Sequence, residues 1–90
     1  MIVLYPADGA IREVDGVSGE PSLEQVHDWV GGYIEVVFLS RVGHLVVNEE
    51  GKLLGLPVNV EATRLYQWVH GPHDVIVGNA VLLTGENMLT

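Results

Sequence analysis

The chain has 90 residues, no cysteine, and a net charge of −8 set by 12 acids against 4 bases, Arg12, Arg41, Lys52 and Arg64. One domain of this size buries about 60 to 65 % of its unfolded surface, and without cysteine it has neither disulfides nor thiolate metal sites, so self-association is the expected extra support. Charged residues make up 18 % of the chain against the usual ~25 %, too few bases for a nucleic-acid-binding stripe and too scattered a set of acids for a phosphate mimic.

Ile2 to Tyr5 is interrupted by Pro6 and Asp8 too soon for a signal peptide or a membrane span, so it reads as a first strand of a cytoplasmic protein with no membrane association. Pro6-Ala7-Asp8-Gly9 turns it into a second strand, Ala10 to Val14. After a Gly/Ser loop, Ser22 caps a helix, with Gln25 completing a capping box and Leu23, Val26 and Val30 on one stripe beside Trp29. Gly31-Gly32 stops it. Tyr33 to Leu39 is β-branched and aromatic, hence a central strand, and Ser40 to Gly43 turns it into a fourth strand, His44 to Val47.

Asn48-Glu49-Glu50-Gly51 fits a type I turn, returning the chain as a strand from Lys52 to Leu56 that Pro57 ends. Asn59 caps a second helix, Val60 to His70, whose apolar side is Ala62, Leu65, Trp68 and Val69, and Gly71-Pro72 terminates it. Val75 to Leu83 is the last strand, with Gly78 and Ala80 on one side, where a helix packs closely, and Val77, Asn79 and Val81 on the other. Residues 85–90 read as a flexible tail after a single domain over 1–84.

The order β-β-α-β-β-β-α-β describes an α+β domain: a single mixed, mainly antiparallel sheet of five to six strands with two helices on one face. Strand residues apolar on both sides then imply an uncovered apolar face, which a homodimer or higher homo-oligomer would bury.

Three blocks carry a resemblance: N-E-E-G-K-L-L-G-L-P-V-N (Asn48 to Asn59), V-G-G-Y-I-E-V-V (Val30 to Val37) and D-V-I-V-G-N-A (Asp74 to Ala80). Over roughly residues 23 to 83 the chain resembles a numbered domain-of-unknown-function family whose members are carried by phages, prophages and plasmids. The resemblance implies an accessory role in the host cytoplasm, such as blunting host defence. It transfers onto Gly31, Gly32, Tyr33, Glu35, Asn48, Glu49, Gly51, Lys52, Gly55, Leu56, Pro57, Asn59, Asp74 and Gly78, none of them a known catalytic residue.

No catalytic residue, metal ligand or cofactor is assigned from the sequence. Glu49 and Glu50 are neighbours on a turn and point apart into water, whereas paired-carboxylate hydrolysis needs groups about 5 to 9.5 Å apart across a cleft. His70-Gly71-Pro72-His73-Asp74 could offer imidazoles to zinc, but Gly-Pro breaks the helix that would align them. Ser18, Ser22 and Ser40 lack nucleophile-elbow surroundings, and Gly55 to Asn59 lacks P-loop spacing.

Asn79 is more informative, since an amide among Val, Ile and Leu must find a partner or lie exposed. Asn48, Lys52, Asn59, Arg64 and Asn79 are therefore the candidate ligand-binding residues, presenting donors to a small anionic ligand. Tyr66 and Trp68 at helical spacing read as core. The expected function is non-enzymatic binding that sequesters a small host signalling nucleotide. The alternative is an acidic inhibitor that occludes a basic site on a host enzyme.

Overall fold

The computed structural model describes residues 1–89 and contains five strands and two helices. Strands β1 (Ile2–Tyr5) and β2 (Arg12–Val14) form a hairpin, as do β3 (Ile34–Phe38) and β4 (His44–Asn48). The last strand, β5 (Ala80–Leu83), lies between the two hairpins in the order β2-β1-β5-β4-β3, and every pairing is antiparallel. The expected α+β class stands, with a purely antiparallel sheet in place of a mixed one.

Helix α1 (Leu23–Val30) starts where Ser22 Oγ accepts the Gln25 N–H at 3.1 Å, and it ends at Gly31, whose φ of 81° is the left-handed conformation glycine adopts at little cost. Val26 and Val30 of α1 pack with Ile2, Leu4, Val46, Val81 and Leu83. Leu23, expected on that stripe, is exposed.

Helix α2 (Val60–His70) belongs to a second cluster, with Ala62 packed among Leu39, Leu45, Val47, Ile76, Ala80 and Leu82. Successive strand residues point to opposite faces, so Val46 and Val81 meeting α1 while Leu45, Val47 and Leu82 meet α2 puts the helices on opposite faces of the sheet. The expectation of both helices on one face is corrected. Each residue of β5 is buried, because this strand is central and covered from both sides. Double-sided apolarity in β4 and β5 reflects two helical layers, not an uncovered face.

The expected strand from Lys52 to Leu56 is absent. Asn48 C=O accepts the Gly51 N–H at 3.1 Å, as the turn chemistry predicts, but the chain then coils through Leu54 N–H to Glu50 O (2.9 Å) and Leu56 N–H to Gly51 O (3.0 Å). These local bonds use the groups that a ladder would need. Leu53 and Leu54 consequently lie exposed.

The last strand is shorter than Val75 to Leu83, because residues 76–78 bond to α2, its cap and the segment before it instead of to the sheet. Thr63 Oγ1 accepts the Ile76 N–H at 2.9 Å, Asn59 N–H donates to Ile76 O at 2.8 Å, and Val58 bridges Val77. Gly78, with φ 76°, then redirects the chain into β5; a Cβ there would lie 2.7 Å from Leu56 Cδ1, so its close neighbour is a loop side chain and not a helix. On α2, Leu65, Tyr66 and Val69 face the sheet while Trp68 is 78 % exposed, which reverses the core placement expected for Trp68.

The segment expected to be a tail folds back in a 3-10 turn, Gly85–Asn87. Asn87 is buried, and its amide donates to Gly19 O at 2.6 Å and to Val17 O at 3.3 Å, while Leu89 N–H donates to His44 Nδ1 at 3.1 Å. A buried amide with carbonyl partners anchors the chain more firmly than composition suggests. Thr90, the end of the expected tail, lies outside the described residues.

Candidate functional site

One end of the sheet gathers the turn after β1, the C-terminus of α1, the end of β4 and the approach to β5. Between them is a hollow of about 310 Å³ lined by Ala7, Asp8, Val30, Gly31, Asn48, Leu54, Leu56, Pro57, Gly78 and Asn79. An adjoining hollow of about 220 Å³ is lined by Leu4, Pro6, Arg12, Asp28, Trp29, Asn79 and Ala80. Asn79 belongs to both. Apolar walls with a few polar groups converging on them are the usual make-up of a small-ligand site.

The asparagines are held by local chemistry. Asn48 Oδ1 accepts the Glu50 N–H at 2.9 Å, an Asx turn, and its Nδ2 makes only a long 3.5 Å contact to Val30 O. Gly32 clears the space for that amide, since a Cβ at Gly32 would come within 3.0 Å of Asn48 Nδ2. Asn79 Oδ1 accepts the Ala7 N–H at 3.0 Å, which ties the turn after β1 to the start of β5. Each amide thus spends its oxygen on the backbone; Asn48 is buried with its Nδ2 toward Val30 O, and exposed Asn79 keeps N–H capacity for the hollows.

The other candidates lie elsewhere. Asn59 is 1 % exposed, and its Nδ2 donates to Tyr5 O at 2.7 Å and Gly78 O at 2.8 Å while its Oδ1 caps α2 through the Ala62 N–H at 3.1 Å. Those bonds use both amide hydrogens and put the oxygen on the helix cap, a structural bracket behind the hollow. Arg64 pairs with Glu61 at 3.0 Å on the outer face of α2. Lys52 pairs with Asp74, and this ammonium, then the Val75 N–H, hold the Asp74 carboxyl below its ordinary range. Of the five candidates, the structure brings Asn48 and Asn79 together and leaves Lys52, Asn59 and Arg64 outside.

Arg12 and Trp29 are the residues that sequence reading missed. Arg12 opens β2, makes no ion pair among the described residues, and shares the second hollow with half-buried Trp29. Trp29 had a faint signal, its place beside the apolar stripe of α1. Arg12 had none, because only the pairing of β2 with β1 carries it to that end of the sheet. Asp8 and Asp28 add carboxylates to the linings.

Between them the two hollows therefore offer a guanidinium and two amides to acceptor oxygens, an indole ring to a planar group, and carboxylates to hydroxyl or amino hydrogens. Neither lining contains Ser, Thr, His or Lys. His70 is engaged at the far side of α2, where its Nε2–H donates to Phe38 O at 2.8 Å. Among the described residues no three His, Asp or Glu side chains are grouped to hold a metal ion, and no helix is long and apolar enough to cross a membrane.

Comparison with curated proteins and with solved structures gives no significant match. A family model does match, over residues 1–88, which extends the likeness beyond residues 23 to 83 to both ends of the sheet's chain order. On that coverage the chain belongs to the family described as Domain of unknown function (DUF3846).

Proposed function

We propose that this protein is a non-enzymatic accessory factor of a phage or other mobile element, which sequesters a small host signalling nucleotide in the two hollows astride Asn79. The observation that carries the reading is the Arg12 guanidinium, without an ion pair among the described residues, lining one hollow with Trp29 and Asn79, while Asn79 also lines the adjoining hollow with Asn48. Arg12 meets a phosphate, Trp29 stacks on a base, and the amides bind carbonyl or phosphate oxygens. Asp8 in one lining and Asp28 in the other disfavour a triphosphate and favour a ligand of low charge whose ribose hydroxyls or ring amino groups donate to them.

Sequestration requires affinity and copy number, and the side chains around the opening supply recognition without a nucleophile. Isothermal titration against cyclic nucleotides and ADP-ribose derivatives tests it. Stoichiometric binding is expected, weakened at least about tenfold by Arg12→Ala or Asn79→Ala, each loss matching about 1.4 kcal/mol or more, and unchanged by Arg64→Ala. A flat response across the panel overturns the reading.

A second reading, an acidic inhibitor that occludes a basic site on a host enzyme, draws on Trp68 and Leu53, which are 78 % and 87 % exposed. Exposed rings and leucines on an acidic surface suit a protein partner. A host protein that co-purifies stoichiometrically, with no small ligand bound, favours this reading over the first.

A further inference from the structure

We propose that β3 is the pairing edge of a symmetric homodimer in which two copies join their sheets, β3 against β3, about a twofold axis at Val36. The sheet has two edges, β2 and β3. β2 is three residues long and begins with Arg12 and Glu13, the short and charged form that discourages pairing. β3 runs Ile34-Glu35-Val36-Val37-Phe38, with one charge, no proline, no glycine and no lysine to guard it.

The direction of its free groups follows from its ladder. Leu39 N–H donates to Gly43 O at 2.8 Å and Glu49 N–H to Tyr33 O at 2.9 Å, in register with the β3–β4 pairs. Bonding alternates along an antiparallel strand, so Glu35 and Val37 face β4 while Ile34, Val36 and Phe38 turn their N–H and C=O groups outward. The Phe38 carbonyl shows it: the donor it meets is His70 on α2 and not a group on β4. A carbonyl oxygen has two lone pairs, so that contact leaves room for a second donor.

Among the twofold registers of this edge, one pairs all three outward residues. Centred on Val36, it sets Ile34 against the partner's Phe38 and Glu35 against the partner's Val37, and it pairs every outward group. A shift that centres the axis on Glu35 sets two carboxylates against each other, which like charges directly opposite disfavour. In the favoured register Ile34, Val36 and Phe38 of each copy share one face and form an apolar stripe across the junction, covering Phe38, which is 66 % exposed in the single chain. An acidic or basic partner strand has no such match along an edge whose one charge, Glu35, is flanked by apolar groups.

Each copy carries a net charge of −8, so the charges of the two chains oppose association and salt screens them. The dimer therefore tightens as ionic strength rises, the opposite of a partner held by charge attraction. The hollows astride Asn79 include no β3 residue, so the pairing is independent of ligand binding.

Sedimentation equilibrium of the full chain without ligand, over a concentration series at two salt levels, tests the proposal. The expected mass is twice 9.8 kDa, with a dissociation constant that falls as salt rises. Val36→Pro removes the central cross-copy donor, whose N–H takes no part in the β4 ladder, and Phe38→Lys places a guarding charge on an exposed position. Both variants are expected to weaken the dimer at least tenfold, with the far-UV circular dichroism of Phe38→Lys unchanged. A monomer at every concentration, or a dimer that Phe38→Lys leaves intact, overturns it.

Discussion

Replacing Asn59 by alanine removes three hydrogen bonds from one buried side chain. The lost cap on the Ala62 N–H costs about 0.5 to 2 kcal/mol, and a carbonyl left unpaired in the interior costs about 1 to 3 kcal/mol. Gly78 O is buried and loses this donor, whereas Tyr5 O keeps the Ala80 N–H opposite it in the β1–β5 ladder, which brings the total to about 1.5 to 5 kcal/mol. Against a domain stability of about 5 to 15 kcal/mol this is a large fraction, and at about 4 to 8 °C per kcal/mol it lowers Tm by roughly 6 to 40 °C. Urea unfolding followed by circular dichroism measures it as a lower midpoint at unchanged slope. Asn59→Ser keeps an acceptor for the cap but loses both amide donors, so it recovers only the cap's share. Asn59→Asp also keeps the cap, yet it sets a carboxylate against two carbonyl oxygens, and it is expected to be less stable than the serine variant. A cost below about 1 kcal/mol for alanine, or full stability for serine, refutes the bracket reasoning.

Gly43→Ala is expected to prevent stable folding, because a Cβ there would lie 2.3 Å from Leu83 O in the central strand, at a φ of 148°; a folded variant within about 1 kcal/mol of the parent in urea contradicts this close approach. Lys52→Ala is expected to change stability by less than about 1 kcal/mol, because its ion pair with Asp74 lies at the surface. The Asp74 carboxyl is held below its ordinary range, so the pair's small contribution is present at neutral pH and is lost as pH falls through the lowered value. Acid titration of Asp74→Asn, followed by circular dichroism, should show a slightly shallower loss of stability than the parent, and a steeper one contradicts the sign.

Element identity was legible wherever local chemistry acts alone. Ser22 and Asn59 cap the helices they were expected to cap, Gly31 and Gly71 end them, and Asn48 to Gly51 forms its turn. Reading failed where groups distant in the chain compete for the same bonds. Lys52 to Leu56 had the composition of a strand but spends its amides on local turns, and Val75 to Asn79 continued the alternation of β5 but is held at residues 76–78 by Thr63, Asn59 and Val58. At the site, Asn79 was recognisable as an amide out of place among apolar neighbours, whereas Arg12 could not be found before the β1–β2 pairing placed it.

By itself the sequence determined the α+β class, the two helices and their ends, and the hairpins, because caps, glycines and side-chain periodicity act over a few residues. Only the tertiary structure decided that β5 inserts between the hairpins and that the helices cover opposite faces, since both depend on which apolar surfaces meet after distant segments pair. The same long-range pairing decided which asparagines are spent inside the fold and which reach the opening. Asn59 was legible as a helix cap, but nothing local says that its amide hydrogens are spent on buried carbonyls while those of Asn79 are not. Burial behind β1 commits the first to backbone carbonyls, while the mouth of the sheet leaves the second with a free donor.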